Sequence, residues 1–146
     1  MNSKNVEAAF ACYQEGFSCA QAILAAYGPQ FGLDRETALR VAGAFGAGIA
    51  RMGKTCGAVT GAIMVIGLKY GKTKADDDAA RERTYAVVGE FMDRFISRNR
   101  SSTCKDLLGH DLSTPEGRTA VKEKKLADTL CPKFVRDAAE ILEEIL

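Results

Sequence analysis

The sequence lacks tryptophan, contains one histidine and three prolines, and has no Cys-x-x-Cys pair. A single histidine excludes a Rieske-type centre, in which two histidines bind one iron. Because it has no Cys-x-x-Cys pair, the sequence does not fit the common zinc modules or the bacterial ferredoxins, which both use closely spaced cysteines. No linker, repeat or low-complexity stretch divides the 146 residues, so we expect one domain over residues 1–146.

The chain also has almost no net charge. Twenty basic and nineteen acidic side chains leave a net charge of +1. A domain that binds nucleic acid or an anionic membrane carries a clear basic excess, so we expect neither partner. The sequence shows no basic segment followed by an apolar one, which is the pattern of a secretory signal. No apolar run reaches the roughly 20 residues of a membrane span. We therefore expect no membrane insertion and a cytoplasmic location.

Helical periodicity dominates, and no segment alternates apolar and polar side chains for long enough to predict a strand. The predicted helices run from about 4 to 15, from 18 to 28, from 34 onward, from 56 to about 71, from 76 to about 100, from 114 to about 130 and from 131 onward, with a short turn of helix at 104–108. The sequence therefore predicts an all-α fold of six or seven helices.

The stretch from Thr55 to Leu68 is the predicted centre of this fold. It has almost no polar side chain, and its apolar residues do not keep to one stripe. A helix that is apolar on all sides is buried in a core or in a membrane, and this one is too short for a membrane. Gly57 and Gly61 share one side of it, which favours close packing. We therefore expect the other helices to surround an apolar helix at about 56–70.

A glycine-rich run from Gly43 to Gly53 has some likeness to a phosphate-binding loop. It follows no predicted strand, however, and no Lys-Ser/Thr pair comes after it, so neither nucleotide-binding fingerprint fits. We interpret the run as close helix packing or as a kinked helix.

Four of the five cysteines stand where helices are predicted to begin. They are Cys19, Cys56, Cys104 and Cys131. The first three each follow a serine or threonine, which are favoured N-cap residues, and the last precedes Pro132 and is itself a predicted cap. Free backbone N–H groups at a helix start stabilise an anion, and Lys54, Lys105 and Lys133 adjoin three of the cysteines. We therefore expect thiolates at these positions.

Each of these four cysteines also begins the apolar face of its predicted helix, so the four sulfurs should face inward and converge. Converging thiolates are costly unless a metal ion or a cluster holds them, and an odd number of cysteines argues against a complete disulfide framework. Spacing alone also fits four ordinary buried cysteines. Cys12 differs, because it lies mid-helix, off the stripe of Val6, Phe10 and Tyr13, and we interpret it as a small hydrophobic residue.

The order of these motifs resembles a known family. Residues 16–22 read GFSCAQA, residues 56–61 read CGAVTG, and single cysteines follow at 104 and 131. This order is similar to that of the C_GCAxxG_C_C family of redox-active proteins, over most of the chain. The resemblance implies a small redox-active protein with four functional cysteines, and a relation to the iron–sulfur part of split-Soret cytochromes. No Cys-x-x-Cys-His is present for attachment of c-type haem.

Three functions remain open for the four cysteines. They bind an iron–sulfur cluster, most simply [2Fe–2S], for electron transfer or redox sensing with an unidentified redox partner protein; they bind structural zinc; or they act as a thiol–disulfide system without metal. No catalytic constellation is recognisable beyond the cysteines, and both an enzymatic role and a homo-oligomer stay open. His110 is interpreted as a solvated loop residue, with a ligand or proton-donor role as the alternative.

Overall fold

The computed structural model describes residues 3–146, and within them the regular structure is helical, with no strand. The helices are α1 (Lys4–Gln14), α2 (Cys19–Tyr27), α3 (Arg35–Val41), α4 (Gly57–Tyr70), α5 (Asp78–Asn99), α6 (Cys104–Leu108), α7 (Pro115–Glu123), α8 (Leu126–Thr129) and α9 (Cys131–Ile145), with a 3-10 helix at Gly28–Phe31. The predicted all-α class is confirmed.

More helices form than the six or seven expected, mainly because the segment predicted at 114–130 divides. Thr114 caps its start, since the Thr114 side chain accepts a hydrogen bond from the Gly117 N–H at 2.9 Å. The backbone of Lys125 then adopts a left-handed conformation with φ 54°. A right-handed helix cannot continue through such a residue, so α7 ends and α8 begins there.

The centre of the fold is a close pair, α2 and α4. A Cβ atom added to Gly57 would lie 2.9 Å from the backbone nitrogen of Ala20, and one added to Gly61 would lie 3.0 Å from the Ala20 carbonyl oxygen. The glycines therefore let the two backbones approach, as predicted. Since α2 also contacts α1, α3 and α9, it shares the central position with α4. No helix within residues 3–146 has the length and apolar character needed to cross a membrane.

The buried face of α1 differs from the predicted stripe. Val6, Ala9 and Cys12 are buried, whereas Phe10 and Tyr13 are only partly so. Phe10 lies beneath the guanidinium group of Arg136, 4.5 Å from the ring centre, and α1 packs against both α2 and α9. The helix is thus turned so that Cys12 enters the core, which confirms its interpretation as a small hydrophobic residue.

The glycine-rich segment is not a helix, so the kinked helix was wrong, whereas the alternative of close packing against a helix holds at Gly48. Helix α3 ends at Val41, and a series of turns follows. Residues 47–51 all have positive φ, between 47° and 68°. Four of them are not glycine, and each such residue costs about 1–2 kcal/mol in the left-handed region. At Gly48 a Cβ atom would lie 2.7 Å from that of Cys104, so this left-handed turn brings the backbone directly against α6.

Candidate metal and redox site

One cavity of about 520 Å3 collects the four cysteines at helix starts. Its lining includes Cys19, Cys56, Cys104 and Cys131. Cys12 is not part of that lining and lies on the buried side of α1, in the hydrophobic core. The structure therefore brings together the four residues that the sequence singled out, and it separates them from the fifth.

Helix α2 places Cys19 through a capping box. The Ser18 side chain accepts a hydrogen bond from the Gln21 N–H at 3.3 Å, and the Gln21 side chain accepts one from the Ser18 N–H at 3.0 Å. The Gln21 amide nitrogen also donates to the Leu39 carbonyl at 3.0 Å, which ties this helix start to α3. The predicted N-cap Ser18 is confirmed, and Cys19 is the first residue of α2.

A short antiparallel bridge fixes Cys56 relative to Cys104. It pairs Thr55 with Thr103. The Cys56 N–H donates to the Ser102 carbonyl at 2.8 Å, and the Cys104 N–H donates to the Lys54 carbonyl at 2.6 Å. Because the bridge uses Thr55, Cys56 itself is the N-cap of α4, whereas the sequence had suggested Thr55 for that position.

At the fourth position, Cys131 is the first residue of α9, and its cap is Leu130. The N-cap of α9 is therefore one residue before Cys131, which was the predicted cap. The reason is the short helix before it: the Leu130 N–H still donates to the Leu126 carbonyl at 2.9 Å, so α8 runs almost directly into α9. Pro132 stands in the first turn of α9, as expected.

The expectation of thiolates at all four positions was wrong for three of them. Burial raises the pKa of the Cys56 thiol to about 12, although the N–H groups of Ala58 and Val59 oppose this. Burial likewise raises the pKa of Cys104 to about 11. The loss of hydration on burial raises the pKa of these thiols more than the N–H groups at the helix start lower it. The three neighbouring lysines, which were expected to stabilise the thiolates, do not line the cavity. Lys133, for instance, forms an ion pair with Asp137 at 2.6 Å.

Cys19 and Cys131 are close enough for each thiol to change the pKa of the other. Cys131, acting as a hydrogen-bond acceptor, raises the pKa of Cys19, as burial also does. Cys19, acting as a donor, lowers the pKa of Cys131, against the opposing effect of its own burial. Cys131 is thus the one member of the four that matches the expectation of a stabilised thiolate.

Sequence reasoning missed two polar residues of the cavity, Tyr13 and Arg51. The Tyr13 hydroxyl group donates to the Ala127 carbonyl at 2.6 Å, and its contact with Cys131 lowers the pKa of that cysteine. The only sequence signal for Tyr13 was its place in an apolar stripe, which suggested a purely core role. Arg51 gave no signal, because the turn that carries it was interpreted as helix.

His110 is absent from the cavity lining and contacts Lys124 instead, with 3.3 Å between the ring Nε2 and the lysine Nζ. It lies in the loop after α6, as predicted.

The donor set at the cavity fits a thiolate-bound metal centre. Four cysteines are the usual ligands of iron–sulfur clusters and of structural zinc. Among residues 3–146, however, no three His, Cys, Asp or Glu side chains are arranged closely enough to hold a single ion. A cavity of about 520 Å3 is also larger than one ion requires. The residue types at the cavity therefore fit a thiolate-bound metal centre, although the described side chains do not form a closed set of ligands in this structure.

A family model matches residues 17–145, a range that contains all four cavity cysteines and omits Cys12. The chain belongs to the C_GCAxxG_C_C family. That family is described as "Putative redox-active protein (C_GCAxxG_C_C)". Comparison with curated proteins and with solved structures finds no match for this chain. In this member of the C_GCAxxG_C_C family, the motif cysteines line the cavity.

Proposed function

We propose that the four cavity cysteines together bind one iron–sulfur cluster, most simply [2Fe–2S], and that the protein uses it for electron transfer or redox sensing. The observation that carries this proposal is the meeting of four thiols, from four separate helix starts, at one cavity. Membership of a redox-active family supports redox chemistry at these thiols.

Backbone N–H groups at the cavity support a centre that changes its charge. The backbone N–H groups of Ala58 and Val59, in the first turn of α4, lower the pKa of the Cys56 thiol and so favour negative charge on its sulfur. N–H···S hydrogen bonds stabilise added electron density on sulfur and thereby tune a cluster's potential. These groups are fixed by α4 itself, so they need no rearrangement when the charge changes.

Apolar side chains complete the wall of the cavity. They are Phe17, Leu107, Leu108, Leu112, Val121 and Phe134. Such a lining limits the access of water, which protects a cluster and also affects its potential. The cluster, when bound, would supply one-electron chemistry, and the chain would hold, shield and tune it. Since the thiols must lose their protons on binding, assembly should become more favourable as the pH rises.

A thiol–disulfide function is a second candidate, and the Cys19–Cys131 pair favours it. Its two thiols change each other's pKa, and that of Cys131 is lowered. A stabilised thiolate beside a second thiol is the arrangement expected of an attacking and a resolving cysteine. This candidate needs only two of the four cysteines, whereas the cluster needs all four, so mutation separates them.

The test is a set of Cys→Ser variants, purified and reconstituted with iron and sulfide under anaerobic conditions. We expect Cys56→Ser and Cys104→Ser to lose most of the bound iron, because each removes one of four ligands. Cys12→Ser is the matched control, since its sulfur is buried elsewhere, and it should retain the wild-type iron content.

Equal iron in all variants would contradict the cluster. A wild-type protein that binds no iron, with an oxidisable Cys19–Cys131 pair that survives Cys56→Ser and Cys104→Ser, would favour the thiol–disulfide function.

A further inference from the structure

The lining of the cavity includes one cation. Arg51 is the one charged side chain among the described residues that line the cavity. It is exposed to solvent. Within residues 3–146, no hydrogen-bond or ion-pair partner is found for its guanidinium group, whereas Arg94 and Arg98 each bind carboxylates on α9. Arg51 is therefore free to bind a ligand.

Backbone amides of the same turn add hydrogen-bond donors. Most N–H groups of this segment bind carbonyls nearby: that of Ala50 donates to Ala44 at 3.0 Å, and that of Lys54 donates to Gly48 at 2.9 Å. The three consecutive N–H groups of residues 46–48 have no acceptor among the described residues, and all three residues line the cavity. Gly48 is buried. A buried N–H group nearly always has a partner, so these three N–H groups are available to an acceptor in the cavity.

Consecutive N–H groups are suited to anions. Successive amides at a point where the backbone enters the left-handed region form a concave, positively polarised nest, and this chain enters that region at Ala47, with φ 55°. The turn therefore combines three backbone donors with the guanidinium group of Arg51. Carboxylates and inorganic oxyanions accept hydrogen bonds from both kinds of donor.

We propose that the cavity contains a binding site for a compact oxyanion, formed by the amides of residues 46–48 and by Arg51. The site lies beside the four cysteines, since Gly48 packs against Cys104. A cavity of about 520 Å3 can hold a small anion together with a cluster. The proposal goes beyond the cluster and does not depend on it, because its recognition groups are on the 46–51 turn.

Calorimetric titration of anaerobically purified protein tests this site, with sulfate and acetate as separate probes and chloride at equal ionic strength as the reference. We expect saturable binding of at least one probe at one site per chain. Sulfate binding alone would identify an inorganic oxyanion, and acetate binding alone a carboxylate. Arg51→Gln should weaken the binding about tenfold, because a charge-assisted hydrogen bond is lost.

Arg40→Gln is the matched control, because Arg40 is an exposed arginine on α3 that does not line the cavity; it should bind as the wild type does. Hydrogen exchange of a peptide that covers residues 44–53 should slow when the bound probe saturates the protein.

Absence of saturable binding for both probes, or equal weakening by both arginine variants, would overturn the proposal. If the bound probe left the hydrogen exchange of residues 44–53 unchanged, the backbone amides of this turn would not be part of the site. Arg51→Gln should also keep its iron, and loss of iron in that variant would assign Arg51 to the cysteine centre instead. If wild-type protein holds no iron but binds the probe through Arg51, the cluster proposal fails and the anion site stands.

Discussion

Among single residues, Cys131 has a lowered pKa because the Cys19 thiol, and to a smaller extent the Tyr13 hydroxyl group, favours its thiolate. Cys56 and Cys104 lack such donors from side chains, and burial keeps their pKa values at about 12 and about 11. In the metal-free protein, Cys131 should therefore be the most reactive of the four cavity thiols, since the pKa values of Cys19, Cys56 and Cys104 are all raised.

We predict that iodoacetamide modifies Cys131 first in reduced, metal-free protein. The thiolate is the nucleophile, so a lowered pKa gives Cys131 a larger thiolate fraction at any pH below the pKa of the other thiols. Its alkylation rate should rise with pH and level off early, while the rates at Cys56 and Cys104 keep rising up to pH 11 and beyond. Peptide mass spectrometry over a pH series measures this order.

Tyr13→Phe provides the comparison for that series. It removes a hydroxyl group that lowers the pKa of Cys131, so the pH midpoint of Cys131 alkylation should move upward, with little effect at Cys104. Alkylation of Cys56 as early as Cys131 in the wild type would contradict the assignment of these environments.

The sequence identified the four cysteines as a group because a helix-start context repeats at each one, and their order added the family resemblance. It could not predict their protonation, because the pKa of a thiol depends on desolvation and on neighbours that are distant in sequence. Tyr13 and Arg51 escaped notice for a related reason: nothing in the neighbouring residues of either one indicates that it lines a cavity.

At the scale of secondary-structure elements, the contact between α2 and α4 determines how Cys19 and Cys56 are arranged. We predict that Gly57→Ala destabilises the protein by about 1–3 kcal/mol, because the added methyl group meets the backbone of Ala20 and overpacks the contact. It should also reduce iron binding, since the same methyl group would lie 3.2 Å from the Cβ atom of Cys19. Chemical unfolding and iron content measure the two effects.

Gly67→Ala is the control in the same helix. No atom lies within 4 Å of the position of its added Cβ, so the higher helix propensity of alanine should stabilise the protein by about 0.5–1 kcal/mol. If Gly57→Ala were as stable as Gly67→Ala, the close approach of α2 and α4 would not be a constraint on the site.

Most helices could be predicted from local signals, such as Ser3, Ser18, Asp34 and Thr114 as N-caps, and each of these side chains does cap its helix. The turn at 43–53 could not, because alanine, isoleucine and arginine rarely adopt left-handed conformations and nothing local predicts them there. The bridge between Thr55 and Thr103 joins residues that are distant in sequence, so no local pattern could indicate it.

For the whole molecule, the largest side chains of the hydrophobic core lie away from the cysteine cavity. The largest fully buried side chains include Tyr27, Ile66, Phe91, Phe95 and Leu142, and none of these lines the cavity. A domain of this size buries enough apolar surface to fold without a metal. The core should thus hold the helices together whether or not the cavity contains a cluster.

We predict that metal-free protein keeps its helical circular dichroism and unfolds cooperatively, at a lower denaturant midpoint than the metal-bound form. The midpoint falls because a ligand that binds only the native state stabilises it. Comparison of anaerobic protein before and after chelation, under reducing conditions, measures both properties. Loss of the helical signal on chelation would instead assign the metal a role in folding, as in zinc fingers.

The most direct test of the central claim is the iron and acid-labile sulfide content of anaerobically purified wild-type protein, with its visible absorption spectrum. We expect coloured protein that contains iron and sulfide in similar amounts and bleaches reversibly on reduction. Aerobic purification is avoided because oxygen can remove a cluster. Colourless protein with about one zinc per chain, unchanged after anaerobic reconstitution with iron and sulfide, would contradict the claim.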